Sequence, residues 1–129
     1  MANKYVLDAS ALLAWLNEET GGEEVEPLLD KSVISTVNLS ETLQKSLARG
    51  ADVTGLKEDL AALGLAAVNF TPEDAELAAG LWTNTKHLGL SLGDRCCLAT
   101  ARRLGIVAVT ADRDWVKLEQ ESPEVRTIR

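Results

Sequence analysis

Four carboxylates in this chain stand where α/β proteins do chemistry. Asp8, Glu41 and Asp112 each begin a predicted helix or follow an apolar run, and Asp94 lies in the first turn of the last long helix. Ligands of open α/β sheets bind outside the carboxyl ends of the strands, so an acid just past a buried strand is a site candidate. Asp112 comes just after Ile106-Val107-Ala108-Val109-Thr110, a short, β-branched, almost wholly apolar run of the kind buried on both faces of a parallel sheet. Asp8 closes the run Lys4-Tyr5-Val6-Leu7 in the same way. Four carboxylates at close quarters repel one another, so such a cluster requires bound cations or protonation of some members. Ligand oxygens of this hard type select Mg²⁺ or Mn²⁺ over zinc.

Each acid also has a plainer reading. Asp8 is placed as an N-cap, the commonest job for an aspartate before a helix. Asn38-Leu39-Ser40-Glu41 and Ser91-Leu92-Gly93-Asp94 both put an acid three residues after a capping residue, the capping-box spacing. Thr71-Pro72-Glu73-Asp74 has the same spacing with proline at the first helical position, and Asp74 is assigned no role beyond starting its helix. Spacing alone does not separate Glu41 from Asp74.

The elements that must position these acids alternate. After the first strand, residues 9–17 form a helix with Leu12, Leu13 and Leu16 on one side. An acidic, glycine-containing loop (18–24) leads to a short helix with Val25, Leu28 and Leu29, and then to a strand at 32–36. Asn38 is read as the cap of a helix with Leu39, Leu43 and Leu47 in register, ending at Gly50. Residues 54–63 are amphipathic through Leu56, Leu60 and Leu63, and 66–70 read as a third strand. The helix from 72 towards 86 is expected to bury Ala75, Ala78 and Trp82, with Leu77 and Leu81 on a neighbouring stripe. Ser91 caps a helix whose apolar face is Cys97, Leu98, Ala101 and Leu104, with Arg95, Arg102 and Arg103 on other faces and Gly105 as its stop. Past Asp112, a helical turn at 114–119 and an edge strand at 125–128 complete the chain. This alternation predicts an α/β sandwich with a mainly parallel central sheet.

The 129 residues are read as one domain, and 46% hydrophobic with 26% charged residues is ordinary for a soluble globular protein. No apolar run approaches the ~20 residues of a membrane helix, and the chain enters a strand directly, so a cytoplasmic protein is expected. Cys96 and Cys97 adjoin on a helix, which suits packing and matches no metal-ligand spacing. His87 is the only histidine, which leaves little from which to build a His-rich metal site or a Ser-His-Asp triad. A net charge of −7 argues against nucleic-acid binding through a broad basic face. It leaves a metal-dependent nuclease open, because divalent cations bound among the acids reverse the local field.

The ordered segments DASALLAW, VNLSETLQK, LGDRCCLATARRLG and VTADRDW closely resemble PIN-domain ribonucleases, specifically the VapC-type toxins of toxin–antitoxin pairs, almost end to end. That resemblance implies a three-layer α/β/α sandwich whose acidic pocket holds Mg²⁺ or Mn²⁺ and hydrolyses phosphodiester bonds in structured or single-stranded RNA, with transfer and ribosomal RNA as first candidates. It makes Asp8, Glu41, Asp94 and Asp112 the metal-binding and catalytic acids. Ser10 and Thr110 match the hydroxyl residues that support such sites, orienting a ligand carboxylate or water. Arg95 and Arg113 adjoin the acids and are candidates for RNA phosphate contacts, with a surface ion pair as the alternative. Asp114 is weighed as solvated surface before ligand, and Trp15 and Trp115 as packing residues. The resemblance also implies a homodimer silenced by a cognate antitoxin. The leucine faces of the helices around 25–29 and 54–63 are candidate contact surfaces, and core burial explains them equally well.

Two other classes compete. A catalytically silent PIN-like module that binds nucleic acid or protein is opposed by the retention of all four acids. A phosphoryl-transfer protein using Asp8 as nucleophile is opposed by the sequence DASA, which lacks a second aspartate two residues on, and by the absence of a phosphate-cradling glycine loop.

Overall fold

A computed structural model describes residues 3–118 and 123–129. Its elements run β1 (Tyr5–Leu7), α1 (Ala9–Leu16), two 3₁₀ turns (Gly22–Glu24 and Glu26–Lys31), β2 (Ser32–Ser35), α2 (Thr36–Ala48), α3 (Leu56–Ala62), β3 (Ala66–Val68), α4 (Pro72–Thr85), a 3₁₀ turn (Lys86–Leu88), α5 (Leu92–Leu104), β4 (Val107–Thr110), a 3₁₀ turn (Arg113–Lys117) and β5 (Val125–Thr127). The five strands form one sheet in the order β3-β2-β1-β4-β5, every pair parallel. Among the described residues no helix is long and apolar enough to cross a membrane.

Period-two alternation along the strands divides the core. Leu7, Ile34 and Val109 face a cluster with Leu12, Leu29, Leu60 and Leu65, while Val6, Val33 and Ala108 face one with Ala78, Leu81, Cys97, Leu98 and Trp115. Each face of the sheet is thus covered by helices, which is why its strands are apolar on both sides. The result is the expected three-layer α/β/α sandwich.

The strand order places the site. The chain winds outward from β1 through β2 to β3, then returns to lay β4 on the other side of β1. The crevice at the carboxyl ends of β1 and β4 is therefore the topological switch point, where open α/β sheets bind ligands. Asp8 follows β1 directly and Asp112 lies just past β4.

Several expectations are corrected by packing. The cap of α2 is Ser35, whose Oγ accepts the Val37 N–H at 3.2 Å, so Asn38 lies inside the helix rather than at its start. Trp82 is 51% exposed with Lys86 stacked over its ring, and Ala75 is exposed. The buried stripe of α4 is Asp74, Ala78, Leu81 and Thr85. Leu47, Leu63 and Leu104 also face solvent, since each sits in the last turn of its helix or just beyond, past the sheet it would cover. Val25, Leu28, Leu29 and Leu60 are core, which removes them as free contact surface. The turn after Asp112 closes by Lys117, and the expected extension to Glu119 lies outside the described residues. Gly105 stops α5 as expected, at φ 68° in the left-handed region that glycine adopts without strain.

Asp74 has more to do than start its helix. It completes a capping box with Thr71, and it also receives Arg103 Nε at 2.6 Å and Nη2 at 3.1 Å. Burial pushes its carboxyl up, but the Arg103 hydrogen bonds and charge and the Thr71 N–H outweigh that and hold it below 3.8. Arg103→Ala would leave a fully buried carboxylate uncompensated, at a cost of about 3 kcal/mol. Thermal melts of the variant beside wild type should show that loss.

Candidate active site

Asp8 occupies the N-cap position of α1, yet its side chain makes no capping hydrogen bond. The carboxylate turns instead into the crevice between β1 and β4. Ser10 Oγ donates to Asp8 Oδ2 at 2.6 Å, and Thr110 Oγ1 donates to the same oxygen at 3.2 Å. Both hydroxyls are held in turn. Ser10 Oγ accepts the Ala111 N–H at 3.0 Å, and Thr110 Oγ1 accepts the Asp112 N–H at 3.1 Å. Ser10 and Thr110 thus both contact Asp8, each on Oδ2.

Asp8 is 3% exposed, and its carboxyl is pushed up from 3.8 to about 7. Burial is the main cause, and the charges of Asp94 and Glu41 add to it against the Ser10 and Thr110 hydrogen bonds. These three acids therefore converge. Asp94 forms the capping box anticipated at the start of α5, its Oδ2 accepting the Ser91 N–H at 2.9 Å, while its charge acts on Asp8. Glu41 makes no capping bond. Its Oε1 accepts from Asn38 Nδ2 at 2.7 Å, and its carboxylate lies over Gly93, in the space a side chain at that position would take.

Asp112 stands at the rim. Its Oδ1 accepts the Asp114 N–H at 2.9 Å, capping the last 3₁₀ turn, and Thr110 joins it to Asp8. Asp114 is exposed and paired with Lys117 at 3.1 Å, in line with its reading as surface. Arg95 is turned inward, where its Nη1 donates to the Ala78 carbonyl at 2.8 Å, so Arg113 is the exposed arginine beside the acids. Trp115 is buried in the cluster on one face of the sheet, and Trp15 packs, partly buried, against the cluster on the other face, so both are packing residues. An open groove of 490 Å³ lined by Thr36, Val37, Ser40, Glu41 and Gln44 reaches the cluster along α2.

This donor set suits a hard divalent cation. All its ligand atoms are carboxylate oxygens. Among the described residues no Lys, Arg or His forms an ion pair with Asp8, Glu41, Asp94 or Asp112. As the side chains lie, no three of these groups are close enough to share one ion among the described residues, so loading requires them to draw together. Ser10→Ala removes the shortest hydrogen bond to Asp8, and should lower the affinity of the cluster for a hard divalent cation about 10- to 100-fold, as loss of a carboxylate-orienting partner does. Titration calorimetry with Mn²⁺ checks this.

Sequence reasoning missed the parts played by Asn38 and Gly93. Ser35, a better-placed cap at the end of an apolar strand, was the available signal that Asn38 is interior.

A family model for the PIN domain matches residues 5–121. None of the curated proteins matches the chain in sequence. Among solved structures, a DNA-bound VapBC from Salmonella typhimurium superposes with a TM-score of 0.71 at 17% identity, covering 98% of this chain and 99% of that one. A toxin–antitoxin complex from Klebsiella pneumoniae gives 0.71 at 18%, covering 98% of each chain. A member of the VapBC family of toxin–antitoxin systems from Mycobacterium tuberculosis gives 0.60 at 23%, covering 100% and 99%. With a match over almost its whole length and the acids of the switch-point crevice in place, the chain belongs to the PIN domain family.

Proposed function

We propose that this protein is a Mg²⁺- or Mn²⁺-dependent endoribonuclease, the VapC-type toxin of a toxin–antitoxin pair, acting in the cytoplasm on structured or single-stranded RNA, with transfer and ribosomal RNA as first candidates. The observation that carries the reading is Asp8, a buried carboxylate at the switch point with two further acids acting on it and, among the described residues, no cation paired to any of them. Membership of the PIN domain family supports it, as do the toxin–antitoxin complexes among the solved structures of the same fold.

Asp8, Glu41 and Asp94 would hold the cation, with Asp112 at the rim to complete the set. When bound, a divalent cation supplies charge neutralisation at the scissile phosphate and the leaving oxygen and acidifies the attacking water. The chain's own part is positional. Ser10 and Thr110 hold Oδ2 of Asp8, which directs the other carboxylate oxygen away from them. The groove along α2 admits an RNA strand to Glu41, and Arg113 receives a phosphate at the rim. A partner segment rich in arginine or lysine fits the same unpaired acids and the net charge of −7, which is the chemistry expected of a cognate antitoxin. A homodimer is part of the same reading.

One observation favours a second reading, a silent PIN-like binding module: the acids as they lie do not form a closed ion cage. Purified antitoxin-free protein incubated with total RNA decides between the two. Discrete fragments that require Mg²⁺ or Mn²⁺, vanish with chelator and vanish in Asp94→Asn are the expected result. RNA bound but left whole in both metals would favour the module.

A further inference from the structure

Inside α2 lies an asparagine that helix stability does not explain. Asn38 is 0% exposed, and its Nδ2 donates both to Glu41 Oε1 at 2.7 Å and to the Gly93 carbonyl at 3.0 Å, joining α2 to α5. Its Oδ1 is buried with no partner among the described residues. The amide orientation follows from chemistry, since turning it over would set an oxygen against two acceptors.

Asparagine is a poor residue for a helix interior because its side chain competes for the backbone. A buried, unpaired acceptor costs a further ~1–3 kcal/mol. Truncation at Cβ would remove that orphan and create none. The Gly93 carbonyl, in the first turn of α5, keeps the Cys97 N–H one turn on as its helical partner. Glu41 is only partly buried, so water replaces the lost donor. What the amide does provide is placement. It holds the Glu41 carboxylate over Gly93, next to Asp94 in sequence, where its charge reaches Asp8. Being neutral, it does so without cancelling the charge, which a lysine or arginine would.

We propose that Asn38 is a positioning residue that holds the Glu41 carboxylate at the cation site. This rests on the reading of Asp8, Glu41 and Asp94 as that site.

The test is Mn²⁺ titration calorimetry with parallel thermal melts on wild type, Asn38→Ala, Asn38→Leu, Glu41→Gln and the Asn38→Ala/Glu41→Gln double variant. Leucine roughly keeps the volume in case alanine leaves a damaging cavity. Both Asn38 variants should bind Mn²⁺ about 10- to 100-fold more weakly. Asn38→Ala should melt within about 3 °C of wild type. The double variant should bind no more weakly than Glu41→Gln alone, since both changes act through one carboxylate. Wild-type Mn²⁺ affinity in Asn38→Ala and Asn38→Leu, with Glu41→Gln impaired, would overturn the positioning role and leave the site reading standing. Wild-type affinity in Glu41→Gln would remove the site reading and the inference with it. Melting points more than about 10 °C below wild type in both Asn38 variants would make the residue structural and also overturn the proposal.

Discussion

Asp8→Asn should yield a protein that is inactive and, without metal at pH 8, more stable than wild type. The buried Asp8 carboxyl titrates at about 7 in the fold against 3.8 for a free aspartate. Between those values the folded state holds a proton that the unfolded state has released. Stability from this group is therefore fully present below pH 3.8 and is lost as pH rises through about 7. A shift of that size corresponds to at most ~4 kcal/mol, most of it reflecting desolvation of the charged form. Asparagine keeps an acceptor for Ser10 and Thr110 and carries no charge, so Asp8→Asn should be more stable by ~1–3 kcal/mol at pH 8 and flat across the window where wild type declines. Melts from pH 4 to 8 in chelator measure this. On the proposed reading the same change also removes a cation ligand, and cleavage should fall roughly a thousandfold, the several kcal/mol that cation catalysis contributes. A variant that is more stable but inactive cannot owe its inactivity to unfolding.

The second large effect is expected at Gly93. A Cβ there would collide with the Glu41 carboxylate. What must yield is the end of a flexible side chain, so Gly93→Ala should melt within a few degrees of wild type, helped by alanine's better helix propensity. The displaced carboxylate no longer lies beside Asp94, and kcat/KM should fall about 10- to 100-fold. Unchanged kcat/KM in Gly93→Ala would show that Glu41 does its work from a different position.

The contrast between Asp74 and Asp94 shows where sequence reasoning reached its limit. Both complete a capping box with the residue three before, and in sequence the two are equivalent. Across the fold they face opposite company. Asp74 meets Arg103, twenty-nine residues on, whereas Asp94 meets Asp8 and Glu41. Which charge lies opposite is decided by the sheet order, and local spacing carries no trace of it.

The strands were readable for the converse reason. Their apolar runs reflect burial on both faces, a property of each segment by itself, so β1 and β4 and the acids that follow them could be located before their pairing was known. Helix faces were less secure. Helical spacing points Trp82 inward with Ala75 and Ala78, but the buried stripe is set by where α4 meets α5, and it runs through Asp74, Ala78 and Leu81 instead. Asn38 reads as a cap because asparagine is common there. Its interior place follows from Ser35 ending a buried strand one turn earlier, which made serine the cap and left the amide free to reach Glu41.

The central claim, that Asp8, Glu41 and Asp94 form a divalent-cation site, is tested most directly by Mn²⁺ binding to the purified protein alone at pH 8, wild type beside the stable Asp8→Asn variant. Saturable Mn²⁺ uptake by wild type that is abolished in Asp8→Asn is the predicted result. Absence of Mn²⁺ binding by wild type, or equal binding by both proteins, would contradict it.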